Sequence, residues 1–171
     1  MRSLLAVLAL LLAACSSENG ADPEACGSLS DDVTATDFVW APGESPPYPT
    51  GGTLQDGTYY LAQETLYGTD SACEDQITLI ESRSPYARQA LRITTETETT
   101  GTMEIVTTVN ADPVRASARY TVVDATLTFA SICGSSAPFS QGAAFTAVVD
   151  NFVVFPAIAS CGPEVAAFER F

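Results

Sequence analysis

Five cysteines and 21 carboxylates hold nearly all the side-chain chemistry open to this 171-residue chain, which contains no histidine and no lysine. A serine, threonine or cysteine nucleophile needs a neighbouring base, and the usual imidazole or amine is missing. Zinc and haem sites lack their common ligands, and no Cys-x-x-Cys spacing occurs. Gly51-Gly52 lies in a proline-rich stretch and leads into no helix, so it makes no phosphate cradle. Carboxylate pairs remain, as in glycosidases and aspartic proteases. Asp124 and Asp150 take equivalent places in two similar segments, but a turn role accounts for both. Asp31 and Asp32 near Cys26, with Asp70, Glu74 and Asp75 around Cys73, could converge on a calcium ion, which prefers oxygen ligands. The Asp-x-Asp-x-Asp-Gly spacing is absent, and a solvated acidic face is the simpler expectation. No catalytic residue, metal or cofactor is expected, and the chain reads as a non-enzyme.

Cys26, Cys73, Cys133 and Cys161 form an even set, as expected of an exported chain carrying two disulfides. Of the three pairings, Cys26–Cys73 and Cys133–Cys161 join each cysteine to its nearer partner. They close loops of about 50 and 30 residues, each contributing roughly 3–4 kcal/mol on the chain-entropy model.

Cys15 stands apart from these four. Arg2 precedes an unbroken apolar run from Leu4 to Leu12 and then the small residues Ala13 and Ala14, the parts of a secretory signal peptide. The run is about half of the ~20 residues a membrane-spanning helix needs. Leu12-Ala13-Ala14-Cys15 resembles the lipobox of bacterial lipoproteins residue for residue. The resemblance implies cleavage just before Cys15, acylation of its thiol and of the new amine, and anchoring in a membrane. Several acyl chains make such an anchor stable where one would be marginal. In the lipoproteins of Gram-negative bacteria, Ser16 in place of an aspartate implies an outer-membrane address.

Loss of residues 1–14 leaves about 157 residues, enough for one domain. It also removes Arg2, so six arginines then face 21 carboxylates. A surface this acidic repels phosphate backbones and anionic headgroups; nucleic-acid binding is not expected, and membrane contact falls to the lipid. An apolar content of 46% is that of a folded domain.

These residues need elements to place them. Residues 15–55 read as a lipidated tether followed by a Pro/Gly-rich loop, with Asp37-Phe38-Val39-Trp40 as an apolar island whose Trp40 is expected to be a core residue or to plug one end of the fold. From residue 56 to 171 the chain reads as strands: 58–67, 76–81, 88–98, 102–109 and 165–171 are rich in β-branched and aromatic residues. Leu91 and Ile93 share one face, as do Met103, Ile105 and Val109, with a hairpin turn expected at Thr99-Thr100-Gly101. Tyr120–Phe129 and Thr146–Phe155 form a weak internal repeat with Val-Val-Asp in register, each read as a hairpin turning at Asp124-Ala125 or Asp150-Asn151. Each copy runs on to a Cys-Gly, and no amphipathic helix follows the signal peptide.

The expected fold is all-β, a small antiparallel barrel of about eight strands, with a two-sheet sandwich as the alternative. Gly57-Thr58-Tyr59 opens the first long strand where lipocalin-like families carry Gly-x-Trp, and Arg170 lies in the last strand where they carry a packing arginine. The domain resembles those families in these positions and departs from them in having Tyr59 for the tryptophan. The whole chain also looks like small secreted lipoproteins of high-GC Gram-negative bacteria, a likeness that brings no function with it. Two roles follow as expectations. One is a lipid-anchored structural or protein-interaction component of the cell envelope. The other is a lipocalin-like binder holding a small apolar ligand against Tyr59, Leu61, Leu91, Ile93, Leu127, Phe129 and Phe155.

Overall fold

The computed structural model describes residues 26–30, 36–68, 88–109, 112–134, 142–155 and 162–170. The chain forms nine strands: β1 (Asp37–Pro42), β2 (Gly57–Gly68), β3 (Arg88–Thr95), β4 (Thr100–Val109), β5 (Asp112–Val123), β6 (Thr126–Gly134), β7 (Ala143–Val148), β8 (Asn151–Phe155) and β9 (Glu164–Arg170). They make one sheet in sequence order, and β9 pairs back onto β2, so the sheet closes in a ring. A single closed sheet thus takes the place of the two-sheet alternative. The eight strands β2 to β9 are antiparallel to their neighbours, while β1 lies parallel to β2.

One edge of β2 is shared. β3 takes Gly57–Tyr60 and β1 takes Gln63–Gly68, with a bulge between Leu61 and Gln63 on the β9 side. The apolar island of the sequence is therefore a strand. Trp40 stands opposite Leu66 and is half-buried, and it is Leu54, not Trp40, that belongs to the buried core cluster.

Turn chemistry explains the hairpins. Asp124 and Asp150 both have positive φ (54° and 63°), a backbone region that aspartate tolerates better than most residues. The first turn is Asp124-Ala125 as expected; the second is Val149-Asp150, one residue earlier than the sequence suggests. The β3–β4 turn also comes earlier, at Glu96–Thr99, with Thr100 and Gly101 already in β4. Thr97 holds it there: its Oγ1 accepts the Thr100 backbone N–H at 3.1 Å and lies 2.7 Å from the Thr100 hydroxyl. Gly101 is needed in the strand because the Tyr120 ring lies over it. A Cβ at Gly101 would come within 2.6 Å of the Tyr120 hydroxyl.

The described part of the N-terminal segment straps the outside of the ring. Cys26 is bonded to Cys133 of β6, with Cα atoms 5.5 Å apart. This corrects the expected Cys26–Cys73 and Cys133–Cys161 pairing. Nearness in sequence misleads here because the strap lies across the sheet before the strands it crosses have been made. Cys73 and Cys161 lie outside the described residues, as does the expected strand 76–81. From Cys26 the segment passes Arg115 of β5, whose guanidinium donates to the Leu29 carbonyl. Leu29 then packs on Ala90, Val106 and Tyr60, and Thr36 donates to the Leu61 carbonyl at 3.1 Å.

Candidate functional site

The interior of the ring is the site this architecture builds. Alternation along each strand sends Tyr59, Leu91, Ile93, Met103, Ala118, Tyr120, Leu127, Phe145, Phe152 and Phe168 into one cluster. Tracing pairs across the sheet shows how these side chains stack. Tyr59, Leu91, Ile105, Ala116 and Gly134 stand side by side on five strands. The β6–β7 pairing is reached only at Leu127, and the β9–β2 pairing returns to Tyr59 only at Arg170. The closing offset is about twelve residues, which at 3.3 Å per residue and 4.8 Å between strands tilts them by roughly 45° and gives a ring radius of about 9 Å.

With that tilt the inward side chains fall into three layers. Tyr59, Ile93, Tyr120, Leu127, Phe145, Phe152 and Phe168 form a floor that is almost wholly buried, 0–3% exposed. Phe152 is at its centre, with ring centroids 6.1–6.2 Å from Tyr59, Phe145 and Phe168 in tilted or edge-on contact. Above it come Leu61, Leu91, Ile105, Ala118, Phe129, Val154 and Ala166. Ile105, Phe129, Val154 and Ala166 pack against the core yet are only partly buried. The third layer is polar and holds Glu64, Gln89, Thr107 and Glu164, with Ala116 between them. Gln89 donates to the Thr107 hydroxyl at 2.7 Å.

Glu64 and Glu164 lie diagonally across the β2–β9 pair, Glu64 opposite Ala166 and Leu66 opposite Glu164. Both are half-buried and turned inward. Burial, then the charge of Glu164 and a hydrogen bond donated to it, pushes the Glu64 carboxyl up to about 7. Burial raises Glu164 as well, partly offset by the bond it accepts from Glu64. Both carboxyls are thus pushed toward the protonated form, as two acids are when they share one proton. Among the described residues no group of three or more carboxylate or cysteine side chains is placed to hold a metal ion.

At the floor end the ring is closed by Arg170. A Cβ on Gly57 would collide with the Arg170 side chain at 2.6 Å, so the arginine lies across the opening of β2, where Tyr59 is its register partner. Its guanidinium donates to Gln55 Oε1 at 3.0 Å and to the Asp56 carbonyl at 3.3 Å, and it pairs with Asp150 at 3.2 Å. The Asp56 carboxylate accepts the Thr95 hydroxyl and backbone N–H, which hold it below its ordinary value. The Tyr120 hydroxyl is buried with no hydrogen-bond partner among the described residues, and burial pushes its pKa up to about 12.

Of the expected ligand-facing residues, Tyr59, Leu61, Leu91, Ile93 and Leu127 belong to the interior cluster and Phe129 packs against it. Phe155 does not, because Phe152 and Val154 take the inward positions of β8. Asp124 and Asp150 serve as turn residues, with Asp150 paired to Arg170. Cys15 lies outside the described residues, as do Asp31, Asp32, Asp70, Glu74 and Asp75, read from the sequence as a solvated acidic face rather than a calcium site. Glu64, Glu164, Gln89 and Thr107 were not singled out by the sequence. The bulge before Gln63 inverts the facing of β2 beyond Leu61, and simple alternation places Glu64 on the wrong side. No protein-family model matches this chain, and no curated protein matches it.

Proposed function

We propose that this protein is a lipid-anchored envelope protein whose β domain is a lipocalin-like barrel that binds a small ligand with an apolar body. The observation that carries the reading is the contrast inside the ring: a floor buried to within a few per cent beneath walls whose Ile105, Phe129 and Val154 remain partly exposed. An eight-stranded antiparallel ring can either fill its interior with side chains or hold one small molecule, and inward apolar residues left partly uncovered favour the second. The Arg170 side chain packed across Gly57 beside Tyr59 supports the lipocalin-like resemblance. The anchor rests on the Cys15 lipobox resemblance alone.

The test is native mass spectrometry of the protein purified from its own envelope, before and after denaturation. A co-purifying mass released on unfolding is the expected result. A clean apo mass, together with no change in melting temperature across a panel of fatty acids, sterols and aromatic amphiphiles, would overturn the reading. A second reading, attachment to another envelope protein, is favoured by Val123, Val148 and Val149, which are 57–69% exposed at two neighbouring hairpin tips. In that case the same spectra show a protein-sized partner.

A further inference from the structure

The seam between β2 and β9 closes the ring, and it carries the inward Glu64–Glu164 pair in the polar layer at the mouth. Two carboxyls on facing strands can hold together only while they share a proton; with both ionised, like charges oppose each other across a ladder. The surroundings offer no compensation among the described side chains. β1 places Phe38 opposite Glu64 and Trp40 opposite Leu66, and β9 places Ala166 and Phe168 beside them. On the neighbouring strands β3 and β4 stand Gln89 and Thr107, neither of which titrates. Arg88, Arg92, Arg115 and Arg119 occupy outward positions of β3 and β5, and Arg170 lies at the floor end. Glu104 and Glu169 are likewise outward, Glu104 being paired with Arg92.

We propose that Glu64 and Glu164 form a proton-held clasp on the β2–β9 seam, closed while the carboxyls share a proton and loosened when both are ionised. The sense of the pH dependence follows from linkage. The folded state holds the Glu64 proton up to about pH 7, whereas the unfolded chain releases it near 4.5. Between these values folding takes up a proton. The stabilisation is therefore complete below 4.5, declines as pH rises, and is gone above about 7. The decline is at most about tenfold in the folded-to-unfolded ratio per pH unit, less where water reaches the pair.

The test compares the disulfide-bonded protein with Glu64→Gln and Glu164→Gln variants between pH 5 and 8.5. Wild type is expected to lose stability relative to Glu64→Gln as pH rises to 7 and to run parallel to it above. In wild type alone, amides at 63–66 and 164–167 should lose hydrogen-exchange protection over the same range, after correction for intrinsic rates. Should neither variant fold, infrared spectra of wild type still decide: a protonated-carboxyl band present at pH 6 and absent at 8.5 supports the clasp. Its absence at pH 6 overturns the proposal, as does an identical pH dependence of wild type and both variants.

Discussion

Replacing the same residue type at two depths measures whether the ring is filled. Phe152 is 1% exposed, touches three other aromatic rings, and sits where no neighbour can close in without breaking those contacts. Phe152→Ala should therefore carry the full transfer and cavity cost, about 3–5 kcal/mol. Phe129 is in the layer above, partly buried, so truncation removes less covered surface and opens onto space that is already accessible. Phe129→Ala should cost about 1–2 kcal/mol. For a chain of this size each kcal/mol moves the midpoint by about 2–4 °C, which separates the variants by several degrees. Denaturant unfolding with disulfides intact, checked for coincidence by fluorescence and far-UV circular dichroism, gives both numbers. Equal losses, within about 0.5 kcal/mol, would mean that the ring is packed as tightly at Phe129 as at its floor, and the cup would not exist.

Two further outcomes follow from single groups. Tyr120→Phe removes a buried hydroxyl that has no partner among the described residues and should raise stability by roughly 0.5–2 kcal/mol in the same unfolding assay; a loss above about 1 kcal/mol would show that the hydroxyl is bonded after all. Non-reducing peptide mapping should find Cys26–Cys133, with Cys73 joined to Cys161. Gly162, next to Cys161, lies hard against the backbone of Tyr67 and Gly68, five residues before Cys73, whereas a Cys73–Cys133 peptide would contradict the strap.

Much of the ring was legible because antiparallel strands with one buried face write their period into the sequence. Leu91 and Ile93, Met103 and Ile105, and the hairpin turning at Asp124-Ala125 all lie where alternation and turn chemistry place them. The errors cluster where one residue shifts the count. Thr97 bonds draw the β3–β4 turn forward, and Val149 rather than Asn151 completes the β7–β8 turn. The bulge at Leu61/Gln63 turns Glu64 inward although Tyr59 and Leu61 predict the opposite facing. The carboxyl pair was invisible for a second reason: Glu64 and Glu164 are 100 residues apart, and only ring closure brings them together. Pairing of Cys26 with Cys133 depends on the same long-range geometry, since nothing in the composition of residues 26–30 says that they cross the outside of β6, β5, β4 and β3.

That strap bears on where the proposed anchor would hold the ring. Cys133 and Gly134 end β6 at the same end of the ring as the Glu64–Glu164 layer, away from the aromatic floor. The Cys26–Cys133 bond therefore ties the N-terminal segment to the Glu64–Glu164 end of the ring. A lipid on Cys15 is eleven residues from Cys26, and even a fully extended chain of that length reaches only about 40 Å. With the proposed lipid on Cys15, that end of the ring would be held within this distance of a bilayer surface, while Arg170 lies at the opposite, floor end. A ligand passing between membrane and interior would enter through the polar layer. There it would meet the Glu64–Glu164 pair, so the proposed clasp would couple the proton state of the seam to the end of the ring that the proposed tether brings close to lipid.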